Sequence, residues 1–180
     1  MIPDWNVVAT AKPDGLRRAR ALLETLAPVG RTEFFNVLVM RVEDARAFAE
    51  QARDLALKDD SFMASVARLA PADRAFNYQT PAEFEAEAGE AVRALAPALA
   101  GLSFHVRVHR RGFKGRLSSV EEERLLSGVL LQALEGAGTP GRVSFADPDA
   151  IVAIDTVGQR AGVSLWTRQD LKHLPFLHLD

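Results

Sequence analysis

The sequence predicts an α/β protein of the α+β type, built from two compact halves that join near residue 80. Strand-like and helix-like patterns alternate along the whole chain, which is typical of mixed folds. Of the 180 residues, 48% are hydrophobic and 26% are charged, as in ordinary globular domains. A helix-start signal at Thr80-Pro81 follows the last strand pattern of the first half. We therefore place the two domains at residues 1–80 and 81–180.

The composition excludes several classes of protein. The chain has no cysteine, which excludes disulfides, thiolate catalysis and cysteine-ligated zinc. No apolar run reaches the roughly 20 residues that a membrane span needs. The first residues, Met1 to Trp5, lack a basic segment ahead of an apolar one, so we expect no secretory signal and a cytoplasmic protein.

The first half reads as a β-α-β-β-α-β unit. The 34–40 run is largely apolar, as in a buried central strand, and Pro28 and Gly30 end the preceding helical pattern. Strands are predicted at residues 5–10, 28–33, 34–40 and 75–78, and helices at 16–26, 43–57 and 62–69. This order predicts a ferredoxin-like N-terminal domain.

The second half begins with a helix over residues 80–95, because Thr80 caps, Pro81 suits the first helical position and Glu83 completes a capping box. Residues 104–109 alternate apolar and polar side chains, which predicts a strand. Further elements are a helix from 118 to 134, strands at 143–145, 151–154 and 162–166, and a tail at 167–180 with a short helix and an extended segment.

The most informative feature is a basic segment. Between Gly101 and Val120 the chain carries five Arg or Lys residues and no acid, whereas residues 40–100 hold eleven acids against seven bases. Local charge decides binding here because salt screens electrostatic interactions beyond about 8–10 Å. A positive field on a strand, a loop and a helix start is suited to binding phosphate.

The positions in this segment predict how it would hold RNA. Alternation places His105, Arg107, His109 and Arg111 on one strand face. Gly112 and Gly115 let the following loop approach a ligand backbone. Free amides at the helix start would add an anion site. The predicted RNA-binding residues are Arg107, His109, Arg110, Arg111, Lys114, Arg116, Ser118 and Ser119.

Other interpretations compete with RNA binding. The basic strand face could pair with the acidic helices of the first half, and Phe113 could stack on a base or plug the domain interface. His105 and His109 lie about 13 Å apart along an extended strand, too far to share one metal ion. The Gly136-to-Gly141 run matches G-x-G-x-x-G, but it follows a helix and precedes a strand. We therefore expect no metal, no cofactor and no catalytic activity.

The second half also resembles a known family. The residues that carry the resemblance are Phe104-x-Val106-Arg107-x-x-Arg110, a helix from Ser119 containing Gly128, Val143-x-Phe145-x-Asp147-Pro148-Asp149, Ile151 to Ile154, and Gly158 leading to Gly162-Val163-Ser164. Together they resemble the THUMP domain of tRNA-modifying enzymes and their adaptors. A ferredoxin-like unit commonly precedes that domain.

The resemblance implies tRNA binding, often at the acceptor end, and delivery of the tRNA to a catalytic domain. Since the chain ends at Asp180, the resemblance favours a non-catalytic, stand-alone adaptor that serves a separate tRNA-modifying enzyme, such as a tRNA cytidine acetyltransferase. It implies no membrane and no DNA partner. The alternative function is a protein-interaction scaffold whose basic segment binds an acidic partner.

Overall fold

A computed structural model describes residues 1–178, so the last two residues of the predicted tail lie outside the described part. The chain divides into two compact units. The first comprises Met1–Ala75 together with residues 172–178, and the second comprises Phe76–Leu171. The sequence places residues 172–178 in the domain 81–180, whereas the structure groups them with the first unit. Among residues 1–178, the helices are all too short or too polar to cross a membrane.

The first unit has a single antiparallel sheet. Its elements are β1 Val7–Ala11, α1 Leu16–Glu24, β2 Val29–Arg31, β3 Val37–Met40, α2 Ala45–Lys58, α3 Ser61–Ser65 and β4 Val66–Pro71. The strand order is β2-β3-β1-β4, and each neighbouring pair is antiparallel. The hairpin between β2 and β3 and the central place of β1 follow from the β-α-β-β-α-β order that the sequence predicts.

The last strand of this unit differs from the prediction. The sequence predicts a helix over residues 62–69, but α3 ends at Ser65 and the backbone becomes extended at Val66. Val66 to Pro71 then pair with β1, and this strand is buried along most of its length. Pairing within the sheet has overridden the local helical pattern. The predicted closing strand at residues 75–78 consequently belongs to the other sheet.

The C-terminal residues of the described chain complete the first unit. The Leu69 amide donates to the Phe176 carbonyl at 3.1 Å, and the ring of Phe176 packs edge-on against Phe62 at 6.1 Å. Leu174 and Phe176 are both buried. Segment 172–178 therefore contributes apolar side chains to the core of this unit.

The second unit holds the basic segment. Its elements are α4 Pro81–Leu95, a 3-10 turn at Ala96–Leu99, β6 Ser103–His109, α5 Ser119–Gly136, β7 Arg142–Val143, β8 Ala150–Val157 and β9 Arg160–Thr167, together with half of β5 Arg74–Asn77 and most of α6 Arg168–His173, which cross the unit boundaries. Its sheet has the order β5-β9-β8-β6-β7. Strand β6 runs parallel to both β7 and β8, and β8 forms an antiparallel hairpin with β9.

Helices α4 and α5 cover one face of this sheet. Side chains from the two helices, including Phe84 and Leu126, share a buried cluster with Val106 and Ile154 of the strands. The start of α4 is the predicted one, since the Thr80 hydroxyl accepts a hydrogen bond from the Glu83 amide at 3.1 Å. The apolar side chains of β6 are buried against the helices. Because side chains alternate along a strand, the polar side chains of β6 point away from the helices.

The start of α2 gives a test of the first unit. The Asp44 carboxylate accepts hydrogen bonds from the Arg46 and Ala47 amides at 2.9 and 3.0 Å. We expect Asp44→Ala to lower the free energy of unfolding by about 1 kcal/mol, because two helix-start amides lose their acceptor. The matched control is Asp54→Ala on the exposed side of the same helix, with a change below about 0.5 kcal/mol. Equal losses in urea denaturation would contradict the capping role.

Candidate nucleic-acid interface

Strand β6 carries the predicted alternation. Phe104, Val106 and Val108 are buried, whereas His105, Arg107 and His109 are half-buried. The Cα partners of Arg107 and His109 on β8 are Ala153 and Asp155. The polar face of β6 is thus less exposed to water than the sequence indicates.

His105 is poorly suited to hold phosphate. Burial lowers the pKa of its imidazole most strongly, and the nearby Arg107 charge lowers it further, while Glu123 raises it. Its ring packs edge-on against Phe145, with the ring centroids 4.9 Å apart. A lowered pKa keeps the imidazole neutral near pH 7, so His105 adds no positive charge to this face.

Arg111 has an internal role that the sequence does not indicate. Its guanidinium contacts the Asp155 carboxylate at 3.1 Å, and the two side chains are only 16% and 6% exposed. Its amide donates to the Thr156 hydroxyl at 2.9 Å, and its carbonyl accepts from the Gly158 amide at 2.8 Å. This pairing disfavours Arg111 as a phosphate ligand, because its charge is already matched by a buried acid.

Asp155 is the residue near the basic segment that the sequence prediction does not include. It lies in the otherwise uncharged β8 sequence Ala150–Val157. A lone acid in a buried strand requires a cation or several hydrogen bonds, because an isolated charge is costly to bury. The lone acid therefore predicts a distant cationic partner. Arg111, 44 residues earlier in the chain, is such a partner.

The loop after β6 is compact and internally bonded. The Arg110 guanidinium donates to the Gly112 carbonyl. Phe113 packs on Tyr78 with ring centroids 5.1 Å apart, and the Arg116 guanidinium lies 4.6 Å from the Phe113 ring centre. Phe113 therefore packs, partly buried, against the core of the second unit, which disfavours stacking of its ring on a base.

The tip of this loop presents cations to solvent. Gly112 and Gly115 have φ angles of +99° and +79°, which favour glycine. Lys114 and Arg116 between and beside them are exposed, and the buried Leu117 returns the chain to the core. The two glycines thus turn the chain so that consecutive basic side chains face outward.

The start of α5 differs from the predicted anion site. The Ser118 hydroxyl accepts a hydrogen bond from the Glu121 amide at 3.3 Å, so that amide is not free. Ser119 is the first helical residue, and the first turn carries Glu121 and Glu122. Glu121 is exposed, and its charge competes with a bound phosphate for the helix start. Ser118 thus caps the helix, and phosphate binding by Ser118 and Ser119 stays a prediction.

Glu122 is a buried acid at this helix start. It is 4% exposed. Burial, then the hydrogen bond and charge of Glu85 on α4 and the charge of Glu121, together raise the pKa of its carboxyl to about 7. The carboxyl of Glu122 is therefore largely protonated below neutral pH in the folded protein.

Four cations remain available after these assignments, and we call them the basic surface: Arg107, Arg110, Lys114 and Arg116. Lys114 and Arg116 are exposed, and Arg107 and Arg110 are half-buried. His109 lies beside Asp155 in the strand register and is left out of this surface. Within residues 1–178, no three His, Asp or Glu side chains are grouped closely enough to hold a metal ion.

The Arg111–Asp155 pair predicts a specific loss of stability. Arg111→Ala should lower the free energy of unfolding by about 3 kcal/mol, because the buried Asp155 charge loses its cation. Lys114→Ala is the control and should change stability by less than about 0.5 kcal/mol, since Lys114 is exposed. Chemical denaturation of both variants tests the assignment, which would be wrong if Arg111→Ala were as stable as the control.

Glu122 predicts a pH-dependent variant. A carboxyl with a raised folded pKa destabilises the fold as pH rises, because the unfolded state loses its proton near pH 4.5 and the folded state only near 7. We expect the free energy of unfolding of Glu122→Gln to exceed that of the wild type by about 2 kcal/mol at pH 8. The difference should disappear near pH 4.5. Urea denaturation across this range measures it, and a gain that does not vary with pH would argue against the raised pKa.

Comparisons with known proteins identify the fold. No protein-family model and no curated protein matches this chain. Among solved structures, PH1313 from Pyrococcus horikoshii is 12% identical with a TM-score of 0.57, over 89% of this chain and 54% of that one. TrmN from Thermus thermophilus is 21% identical with a TM-score of 0.53, over 88% and 44%.

A third similar structure was solved with RNA. It is a 4-thiouridine synthetase–RNA complex with bound ATP, 10% identical with a TM-score of 0.56, over 89% of this chain and 40% of that one. The chain thus spans about half or less of the length of these structures. At these identities the likeness shows the fold alone, and it confirms the predicted α+β class.

Proposed function

We propose that the protein binds tRNA through the basic surface and contacts its acceptor end. The observation that carries the proposal is the loop tip, where glycines with positive φ present Lys114 and Arg116 to solvent beside Arg110. Arg and Lys in such a position suit the phosphate backbone, which supplies most of the affinity of nucleic-acid binding.

The assignment of internal partners supports this choice of surface. Arg111 is neutralised by Asp155, whereas the exposed ends of Lys114 and Arg116 are available to a ligand. The stack of Arg116 on Phe113 also restricts the side chain without removing its charge. A partly fixed guanidinium loses less conformational entropy when it binds phosphate.

The acidic start of α5 sets a limit on the binding site. Glu121 is exposed immediately after the loop, and its charge repels a phosphate backbone. We therefore place the RNA over residues 110–116 and away from the helix start. No arrangement of base-reading side chains is needed, because recognition of a tRNA end can rest on shape and backbone.

The proposed role is that of a non-catalytic, cytoplasmic adaptor. In this proposal the protein presents tRNA to a separate modification enzyme, with a cytidine acetyltransferase as the candidate partner. Support comes from the fold, which this chain shares with parts of longer proteins, among them a 4-thiouridine synthetase solved with RNA. The shared part would hold RNA, and the chemistry would belong to the enzyme partner.

Charge reversal at the loop tip tests RNA binding. Lys114→Glu/Arg116→Glu should weaken tRNA binding at least tenfold near 0.1 M salt and reduce the salt slope by about 1.5, because two phosphate contacts are lost. The measurement is fluorescence anisotropy with labelled tRNA. Both side chains are exposed, so the variant should keep the stability of the wild type.

The control applies the same change of charge elsewhere. Arg17→Glu/Lys58→Glu alters two exposed residues of the first unit and should reduce tRNA affinity less than threefold. Equal losses in the two variants would mean that only net charge matters. If tRNA does not bind, the scaffold alternative replaces the RNA proposal. The same holds if an acidic protein binds the loop and tRNA does not displace it.

A further inference from the structure

Phe145 is a large aromatic side chain that the second unit leaves exposed. It lies in the loop between β7 and β8 and is 77% exposed. Its ring packs against His105 of β6, with the ring centroids 4.9 Å apart. Most of the ring is therefore not used for packing within the unit. Exposed aromatic rings provide a large contact area to a ligand with few rotatable bonds.

The loop that carries Phe145 is fixed by hydrogen bonds on both sides of this residue. On one side, the Ser144 amide donates to the Phe104 carbonyl at 2.9 Å. On the other side, the Arg168 guanidinium donates to the Asp147 carboxylate and to the Asp147 carbonyl, both at 2.9 Å. A ring on such a loop is positioned before a ligand arrives, which reduces the entropy lost on binding.

An apolar groove lies beside Phe145, between α5 and β6. Its volume is about 380 Å³, within the range of roughly 300–1,000 Å³ that is typical of small-ligand pockets. Arg124 and Glu123 line the groove together, and their opposite charges leave it without net charge. The apolar side chains of the lining are Val106, Val120, Leu131, Val143 and Phe145. This groove therefore suits an uncharged group better than a phosphate or a charged peptide.

Gly128 keeps the groove open. It lies in the interior of α5 and lines the groove, and a Cβ built on it would meet nothing within 4 Å. Glycine inside a helix is destabilising relative to alanine. The space beside Gly128 is thus not filled by packing within the unit, and it is available to a ligand.

Strand β6 connects the groove to the basic surface. Val106 lines the groove, whereas His105 and Arg107 point to the opposite face of the strand. Phe145 contacts His105 and also lines the groove, so it lies at the edge of β6 between the two faces. Arg107 of the basic surface follows His105 at about 7 Å along the strand. One strand of RNA can therefore reach the cations and the groove together.

We propose that the groove receives one unpaired base of the bound RNA, and that this base stacks on Phe145. The phosphates of the same RNA strand lie along Arg107 and the loop tip, and the base turns over the edge of β6 into the groove. Aromatic side chains stack on any base, because every base has a flat π-face. The inference rests on the proposed function and adds to it a requirement for unpaired RNA.

A protein segment is the competing occupant of this groove. The uncharged groove offers no charge complementarity that would select an acidic or a basic segment. The nearby cation Arg107 and the basic loop that follows β6 favour RNA instead, because they attract a phosphate backbone.

The test compares two labelled RNA hairpins with the same stem, one blunt and one with four unpaired nucleotides at its 3′ end. In fluorescence anisotropy, Phe145→Ala should bind the extended hairpin at least fivefold more weakly than the wild type does, because one stacked base is lost. It should bind the blunt hairpin as the wild type does, and Phe145→Trp should keep wild-type affinity for both. The matched control is Phe35→Ala, since Phe35 is 88% exposed in the first unit.

Two further measurements examine the groove itself. Gly128→Leu fills the groove and should cause the same selective loss as Phe145→Ala. Gly136→Leu in the same helix is its control, because a Cβ there also meets nothing within 4 Å and Gly136 lies outside the lining. A 2-aminopurine base among the unpaired nucleotides should lose fluorescence on binding the wild type, because stacking quenches it, and should keep its fluorescence with Phe145→Ala.

The outcomes separate this inference from the proposed function. An unchanged affinity of Phe145→Ala for the extended hairpin would overturn the inference and leave Phe145 to contacts with another protein. Unquenched 2-aminopurine on the wild type would overturn it too. Lys114→Glu/Arg116→Glu should weaken binding of both hairpins by the same factor. If it weakens neither, the proposed function fails, whereas failure of the inference alone appears only with the extended hairpin.

Discussion

The position of the basic loop depends on Arg111. Its main chain bonds to Thr156 and Gly158, and its guanidinium pairs with the buried Asp155. These contacts fix the point where the chain leaves β6 relative to the β8–β9 hairpin. From that fixed point the loop closes on itself, with the Arg116 and Leu117 amides both donating to the Phe113 carbonyl. Arg111, whose side chain is only 16% exposed, thus anchors the start of the loop that carries the exposed cations.

Charge around the loop is divided between structure and binding. Arg111 belongs to the interior, while Lys114 and Arg116 face solvent. Acids at the α5 start serve the helix and pack against α4, where Glu122 meets Glu85. Positive and negative residues therefore stand close together but act on different sides. This arrangement confines phosphate binding to a short stretch of backbone, since screening limits the reach of each charge.

The sequence predicts the elements of the second unit well because their signals are local. Capping at Thr80 and Ser118 and the alternation along β6 each act within a few residues. The strand at residues 66–71 is not predictable from local signals, because it depends on pairing with β1. For the same reason the sequence places the segment 172–178 in the second half, whereas long-range contacts such as those with β4 group it with the first unit.

The same distinction between local signals and long-range contacts applies to the prediction of the site. Glycine positions indicated an outward-turning loop, and Lys114 and Arg116 are exposed there. Whether a given arginine is free depends on acids that are distant in sequence. Asp155 pairs with Arg111 across 44 residues, and no pattern within residues 101–120 predicts that pairing. Charge counts locate such a surface, but only tertiary contacts separate its binding cations from its structural ones.

We propose that a few cations at the end of β6 bind the phosphates of a tRNA acceptor end. The most direct test is a salt titration of wild-type binding to intact tRNA, to tRNA lacking its 3′ end and to duplex DNA of similar length. Four phosphate contacts predict a slope of about −3 in log K against log salt. The account predicts this slope with intact tRNA and weaker binding by the other two. Equal affinity for all three, or a slope near zero, would contradict it.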